Sequence, residues 1–162
     1  MSLTKFPNGI DTGSLVINNN TVNAGAMQVV TASATFDGGT ENARGDEDGT
    51  SNPTTVFEVS GVALVTVFAV PSEDLEGASA TLELGVAGNT AALIAQTTAT
   101  NIDDGDIWAD ASPAAGAYTA NDPIIVADDI IETVGTANIT GGALTYYCIW
   151  WPVSDGATVT EA

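Results

Sequence analysis

The chain has 162 residues, of which 21 are acidic, two are basic and none is histidine, so its formal net charge is −19. Two cations cannot neutralise a phosphate backbone, and we therefore expect no nucleic-acid partner. The lack of histidine also excludes the Ser-His and Cys-His nucleophile arrangements and any histidine-bearing zinc site.

The cysteine content and the hydropathy of the chain bear on where the protein is made and on whether it enters a membrane. The single cysteine, Cys148, leaves no intrachain disulfide framework, and we interpret it as a small core residue. No cationic region followed by an apolar run opens the chain, so we expect synthesis in a reducing cytoplasm. The longest apolar run, residues 62–70, is far shorter than the roughly 18 residues of a membrane span. We expect a soluble protein with no membrane partner.

The first 13 residues are predicted to form an extended arm. They contain the turn signal Phe6-Pro7-Asn8-Gly9, and little before Ile10 is periodic. Such a segment is expected to lie along another surface rather than to build a core. Residues 14–162 are then one β domain, which is the size that this length predicts.

A short motif within the arm raises one enzymatic alternative. The run Ile10-Asp11-Thr12-Gly13 matches the hydrophobic-Asp-Thr-Gly signature of aspartic proteases. No second copy exists, and only ten residues precede Asp11. A carboxylate enzyme is therefore the weakest of the functions considered, and it predicts that Asp11→Asn abolishes turnover.

Two β regions flank the most polar segment of the chain. Residues 15–17 and 26–36 are predicted strands, and residues 37–53 are predicted to form an exposed loop without an apolar anchor. The loop spells Arg44-Gly45-Asp46, an integrin-type tripeptide that we attribute to chance. A calcium-binding EF-hand loop is implausible there, because its first and twelfth ligand positions would be Arg44 and Thr55.

The middle of the chain is predicted to be a series of core strands. Residues 54–70 form one bent strand or two, with Gly61 at the bend, and residues 71–77 form a turn capped by Ser72. Strands then follow at residues 80–86 and 91–98.

A second long loop, residues 101–120, crowds four carboxylates together. Mutual repulsion makes Ca²⁺ a possible ligand of Asp103, Asp104 and Asp106, although we favour solvated turn acids because no established ligand spacing fits. Apart from this candidate we expect no metal or cofactor. The same loop carries Trp108 and Tyr118, whose rings could stack on sugars.

The chain closes on its most aromatic segment. Residues 123–134 are predicted strands around an acidic turn, and residues 143–151 form a closing strand that is apolar on both faces. One face is expected in the core and the other at a subunit contact. Alternation alone does not show which face is buried. We expect Tyr146 and Trp150 to be needed for folding and Tyr147 and Trp151 for assembly.

Counting these segments gives eight to ten strands without a useful amphipathic helix. The predicted fold is therefore all-β, a single-domain jelly-roll-like sandwich or barrel with an extended N-terminal arm.

The arm around Phe6-Pro7-Asn8-Gly9-Ile10 and the ending Trp151-Pro152-Val153 with Asp155-Gly156-Ala157 resemble small head decoration, or cement, proteins of tailed bacteriophages. The resemblance implies a virion protein made in the host cytoplasm that sits on the outer capsid surface and bridges capsomers. It also implies a homo-oligomer, often a trimer, with the major capsid protein as partner. The contact residues would be Lys5, Phe6, Pro7, Ile10, Tyr147 and Trp151. The alternative is a carbohydrate- or receptor-binding β-sandwich module of a virion or cell surface, with Trp108 as its test residue.

Overall fold

The computed structural model describes residues 15–17, 20–22, 27–116 and 121–162. The predicted arm, residues 1–13, lies outside the described residues, as does Tyr118. The boundary between arm and domain therefore stays a prediction.

The described residues form β-strands joined by turns, with one short 3₁₀ turn at Ala99–Asn101 and no α-helix among them. This confirms the all-β prediction. None of the described segments is a helix long and apolar enough to cross a membrane. The strands are β1 (Leu15–Ile17), β2 (Asn20–Val22), β3 (Gln28–Thr35), β4 (Thr54–Ser60), β5 (Ala63–Glu76), β6 (Thr81–Val86), β7 (Asn89–Thr98), β8 (Asp106–Ile107), β9 (Ala114–Ala115), β10 (Ile124–Val126), β11 (Ile130–Gly135), β12 (Gly141–Pro152) and β13 (Thr158–Glu161).

Two antiparallel sheets pack as a sandwich. One sheet has four strands in the order β10-β5-β12-β3, and the other has five in the order β13-β4-β11-β6-β7. From β3 onward these strands pass from one sheet to the other at every step except the β6–β7 hairpin. Without β13, this is the eight-strand order of a jelly roll. The hairpin β1–β2 and the pair β8–β9 are separate two-stranded sheets.

The closing strand β12 holds the centre of the four-stranded sheet. It pairs with β3 on one side and with β5 on the other, and Tyr146 faces Ala32 and Ala69 across the two ladders. Its even-numbered residues from Leu144 to Trp150 are all buried. Because side chains alternate along a strand, the odd-numbered residues point out of the sandwich.

Two details differ from the sequence prediction. Strand β5 continues through residues 71–76, where a turn was predicted, because Gly141–Leu144 supplies it with a paired partner across a β-bulge. The tail forms an additional edge strand, β13, on β4. Of the two alternatives predicted for residues 54–70, the structure shows two strands, because Gly61, with a φ of +76°, separates β4 from β5.

Candidate interaction surface

The outer side of the four-stranded sheet carries no charged side chain across four adjacent strands, as far as Val70 on β5. We call this part the uncharged face. Beyond Val70, the last part of β5 carries the exposed Glu73, Asp74 and Glu76. In a chain with 21 acidic residues, a solvent-side surface of this extent without a carboxylate is unusual. The face comprises Val29, Thr31 and Ser33 of β3, Thr145, Tyr147, Ile149 and Trp151 of β12, Leu64, Phe68 and Val70 of β5, and Ile125 of β10. Thr66, between Leu64 and Phe68 on the same side of β5, is buried, and its Oγ1 donates to the Asn121 carbonyl at 2.9 Å.

An aromatic pair lies at the middle of this face. Tyr147 and Phe68 are directly opposite one another on β12 and β5, and their rings stack with centroids 5.1 Å apart and planes 6° apart. Across the other ladder Tyr147 meets Thr31. The strand register therefore produces a flat, partly exposed aromatic platform without help from any loop.

Aliphatic side chains extend the face to both edges of the sheet. On the edge strand β3, Val29 is 57% exposed opposite Ile149, and on the other edge strand Ile125 is 67% exposed opposite Leu64. Leu64 in turn faces Trp151. An apolar surface that spans a whole sheet is larger than the scattered exposed residues of a typical monomer, which makes this face the candidate interaction surface.

The inner side of the same sheet contains a buried polar cluster. Arg44 donates from Nε to Oε1 of Glu132 at 2.5 Å and from Nη2 to Oε2 at 2.8 Å. The Tyr146 hydroxyl donates to the same Oε2 at 2.7 Å. Glu132 is 1% exposed, so its charge depends on these donors rather than on water.

Burial sets the protonation behaviour of this core. Burial, reinforced by the charge of Glu132, raises the pKa of Tyr146 well above its usual 10.0. Burial opposes the charged state of Arg44, but the hydrogen bonds to Glu132 and the negative charge of Glu132 together outweigh that effect, so the pKa of Arg44 is raised. Burial also raises the pKa of the Cys148 thiol to about 12. That thiol stays protonated at neutral pH, which fits the predicted core role and not a nucleophile.

The loop 37–53 was predicted to be exposed because it has no apolar anchor, but polar contacts anchor it in the fold. Its Arg44 reaches the buried Glu132, and Asp46 is 5% exposed with its Oδ2 accepting from the Asn42 amide at 2.8 Å. Both charged members of the Arg-Gly-Asp tripeptide are thus engaged within the protein. The tripeptide does not present the pair of free charges that an integrin-type ligand would need.

The acidic turn proposed for calcium is spread over the surface. Asp103 and Asp104 are exposed, Asp106 is partly buried at the start of β8, and the Asp104 amide donates to Oδ1 of Asp74 at 2.7 Å. Among the described residues no group of three histidine, cysteine, aspartate or glutamate side chains could hold a metal ion. Calcium binding here stays an untested prediction.

Trp108 belongs to the core and not to a sugar-binding surface. It is 0% exposed, its backbone bridges Ala69 of β5, and its indole Nε1 donates to Thr97 Oγ1 at 2.8 Å. Its ring lies 6.3 Å from that of Tyr146. The sequence around Trp108 is polar and predicts an exposed loop. Trp108 is nevertheless buried, because an isolated bridge pairs its backbone with Ala69, a residue distant in the sequence.

The predicted contact residues divide into two groups. Tyr147 and Trp151 lie on the uncharged face, while Lys5, Phe6, Pro7 and Ile10 lie outside the described residues. Their contact role is still a prediction. Sequence reasoning missed Phe68. Its signal was the alternation expected of a strand over residues 64–70, which places Phe68 on the opposite side from its neighbours Val67 and Ala69, both of which are buried.

No family model and no curated protein matches the chain. Among solved structures, a chain of the cyanophage Pam1 capsid asymmetric unit is similar to it, with a TM-score of 0.50 and 14% sequence identity. The similarity covers 90% of this chain and 99% of that chain. At this level of identity the likeness shows a shared fold.

Proposed function

We propose that this chain is a structural protein of a phage virion that decorates the outside of the capsid and stabilises it by bridging capsomers. The observation that carries the proposal is the uncharged face on an otherwise acidic jelly roll. A non-polar surface of this size serves protein contact, whereas a module that only had to remain soluble would cover it with carboxylates.

The charge supports a position outside the shell. A net charge of −19 is repelled by packaged DNA, and the surface carboxylates keep a densely arrayed protein solvated. The fold shared with a chain of a cyanophage capsid asymmetric unit is compatible with this role. The partner in this proposal is the major capsid protein, and the role is non-enzymatic.

The arm is the proposed capsid contact. Lys5 is one of only two cations in the chain, and the adjacent Phe6, Pro7 and Ile10 supply apolar anchors that can gain order on a partner. Deleting residues 1–10 should leave the fold intact and weaken attachment to the capsid. A truncated chain that fails to fold would instead make the arm part of the domain.

The experiment compares capsid particles assembled with and without the protein. Particles that carry it should withstand higher temperature and lower salt before they release DNA, and the protein should copurify with the major capsid protein in a fixed ratio. Particles saturated with the chain lacking residues 1–10 should behave like bare particles, while the surface variant Thr158→Asp should protect like wild type. Equal stability of bare and decorated particles would reject a cementing role.

A carbohydrate-binding function is the second candidate, but the residues that could bind a sugar differ from the one that the sequence indicated. With Trp108 buried, the ring surface left for a sugar is the stacked pair of Phe68 and Tyr147. A glycan array in which binding is lost on Tyr147→Ala and kept on Trp108→Phe would favour it. No binding on the array leaves the capsid proposal in place.

A further inference from the structure

The two outer sheet faces of the sandwich differ in charge. The five-stranded sheet presents Glu58 on β4 and Glu83 on β6 beside threonines such as Thr133 and Thr158. The uncharged face presents none. The carboxylates nearest to it along the chain are Asp122, which precedes β10, and the exposed Glu73, Asp74 and Glu76 in the last part of β5, beyond Val70. Two copies of the chain can therefore approach through the uncharged face without placing carboxylates opposite one another.

This pattern identifies the partner by its charge. A cationic partner would be attracted by carboxylates on the docking surface, and an interface for it would keep some of them. Removing every charge from one face is instead what an acidic partner requires, because like charges that meet in a desolvated contact cost affinity. The strongly acidic partner known to be present wherever this chain is present is another copy of it.

We propose that the uncharged face binds the same face of a second copy, with the two four-stranded sheets packed against each other. Face-to-face sheets pack about 10 Å apart with their strands at roughly −30°, and side chains from the two faces interdigitate. Phe68 and Tyr147 lie at the centre of each face, where aromatic residues contribute most to binding. The inference rests on the same face as the proposed function, but it does not require a capsid partner.

The symmetry of the contact follows from the use of one surface by both copies. Such an isologous contact relates the copies by a twofold axis and closes at two. It differs from the trimer that the phage resemblance implied. A trimer would need two different patches on each copy.

The size of the face sets the strength of the association. Four strands about 4.8 Å apart and seven residues of about 3.3 Å each span roughly 400 Å² per copy, about half of a standard stable interface. The dimer is therefore expected to be concentration-dependent. Two copies joined in this way would carry two arms, which gives a physical basis for bridging two capsomers.

Sedimentation analysis of the full chain tests the proposal, over a concentration range of about 5 to 500 μM to cover the weak association expected of a small interface. A shift from monomer to dimer mass is expected. The dimer should tighten as NaCl rises from about 0.05 to 0.5 M, because salt screens the repulsion between two −19 chains. A complex with a cationic partner would change in the opposite direction.

Matched variants locate the contact. Thr31 and Thr158 are both exposed strand threonines, one opposite Tyr147 on the uncharged face and one opposite Ser60 on the five-stranded sheet. Thr31→Asp should weaken the dimer by about 10- to 100-fold, since each contact then buries two carboxylates, and Thr158→Asp should leave it within about twofold. The melting curves of both variants at low concentration establish that they are folded.

The other outcomes overturn either the inference or the proposed function, and they can be told apart. A monomer at every concentration and salt level overturns it, as does a trimer or equal weakening by the two variants. If deletion of residues 1–13 converts a monomer into a dimer, the chain itself occupies the face. If Thr31→Asp abolishes capsid binding of a monomeric chain, the capsid protein is the occupant and the proposed function survives. A dimer that binds no capsid would reject the proposed function and leave the inference standing.

Discussion

The two faces of the four-stranded sheet are built by alternate residues of the same strands, yet they are specified differently. On the inner face Tyr146 and Trp150 are 0% and 4% exposed, and the Tyr146 hydroxyl has a defined buried acceptor. On the outer face Tyr147 and Trp151 remain partly exposed. Packing and hydrogen bonding hold the side chains of the inner face in place. The outer face has the same low polarity, but its side chains are not enclosed in this way.

The comparison teaches that apolar composition does not by itself identify a core. Both faces of β12 are aromatic and aliphatic, but folding of the described sandwich requires only one of them to be covered. The outer face of the five-stranded sheet, with Glu58 and Glu83, is what a solvated face of this chain looks like. The departure of the uncharged face from that pattern is the reason to assign it a partner.

The largest expected effect separates two adjacent tryptophans. Trp150→Ala should lower the free energy of unfolding by about 3 to 5 kcal/mol, because it leaves a cavity beneath β12. Trp151→Ala should lower it by no more than about 1.5 kcal/mol, because that ring is already partly exposed. Urea unfolding measures both values, at protein concentrations too low for the proposed dimer to form.

The adjacent tyrosines, Tyr146 and Tyr147, test the same difference between the two faces independently. Tyr146→Ala should resemble Trp150→Ala, and Tyr147→Ala should resemble Trp151→Ala while weakening association. Equal losses of stability within each pair would remove the distinction between the two faces.

A smaller effect is expected where the inner face meets the loop 37–53. Arg44→Leu should cost about 2 to 3 kcal/mol, because it leaves the Glu132 carboxylate buried with Tyr146 as its remaining donor. The cost is below that of a fully buried pair because the side chain of Arg44 is 23% exposed. Urea unfolding measures the loss, and limited proteolysis should show faster cleavage within the loop.

The control for this ion pair is the double variant. Arg44→Leu combined with Glu132→Leu removes both charges, so most of the lost stability should return even though the charge pair is gone. Losses that simply add would mean that Arg44 and Glu132 act independently of each other.

The sequence was sufficient for the features that depend on local periodicity. The alternation in residues 143–151 correctly placed Tyr146 with Trp150 on one face and Tyr147 with Trp151 on the other, although it did not show which face is buried. Gly61 correctly marked the end of β4. Both signals lie within a few residues of the feature they specify, so no distant part of the chain is needed to interpret them.

Features that depend on distant partners were not predictable from the sequence. Arg44 anchors its loop through Glu132, 88 residues away, and Trp108 is drawn inward by a single bridge to Ala69. The extent of the uncharged face was also hidden, since it exists only when β3, β5, β10 and β12 are placed side by side. Local patterns carry no information on which strands become neighbours.

The smallest effect comes from alkaline titration of the inner face. Burial raises the pKa of Cys148 from 9.0 to about 12, so the folded chain keeps a proton that the unfolded chain loses. The unfolded state then binds fewer protons, and stability must fall as pH rises through this interval, by about 1.4 kcal/mol between pH 7 and pH 10. The raised pKa of Tyr146 extends the fall above pH 10. Cys148→Ala should be less stable than wild type at pH 7 but should show a shallower decline when urea unfolding is repeated up to pH 10. If Cys148→Ala lost stability with pH as steeply as wild type, burial would not be keeping the thiol protonated in the folded chain. The inner side of β12 would then be open to water at this position.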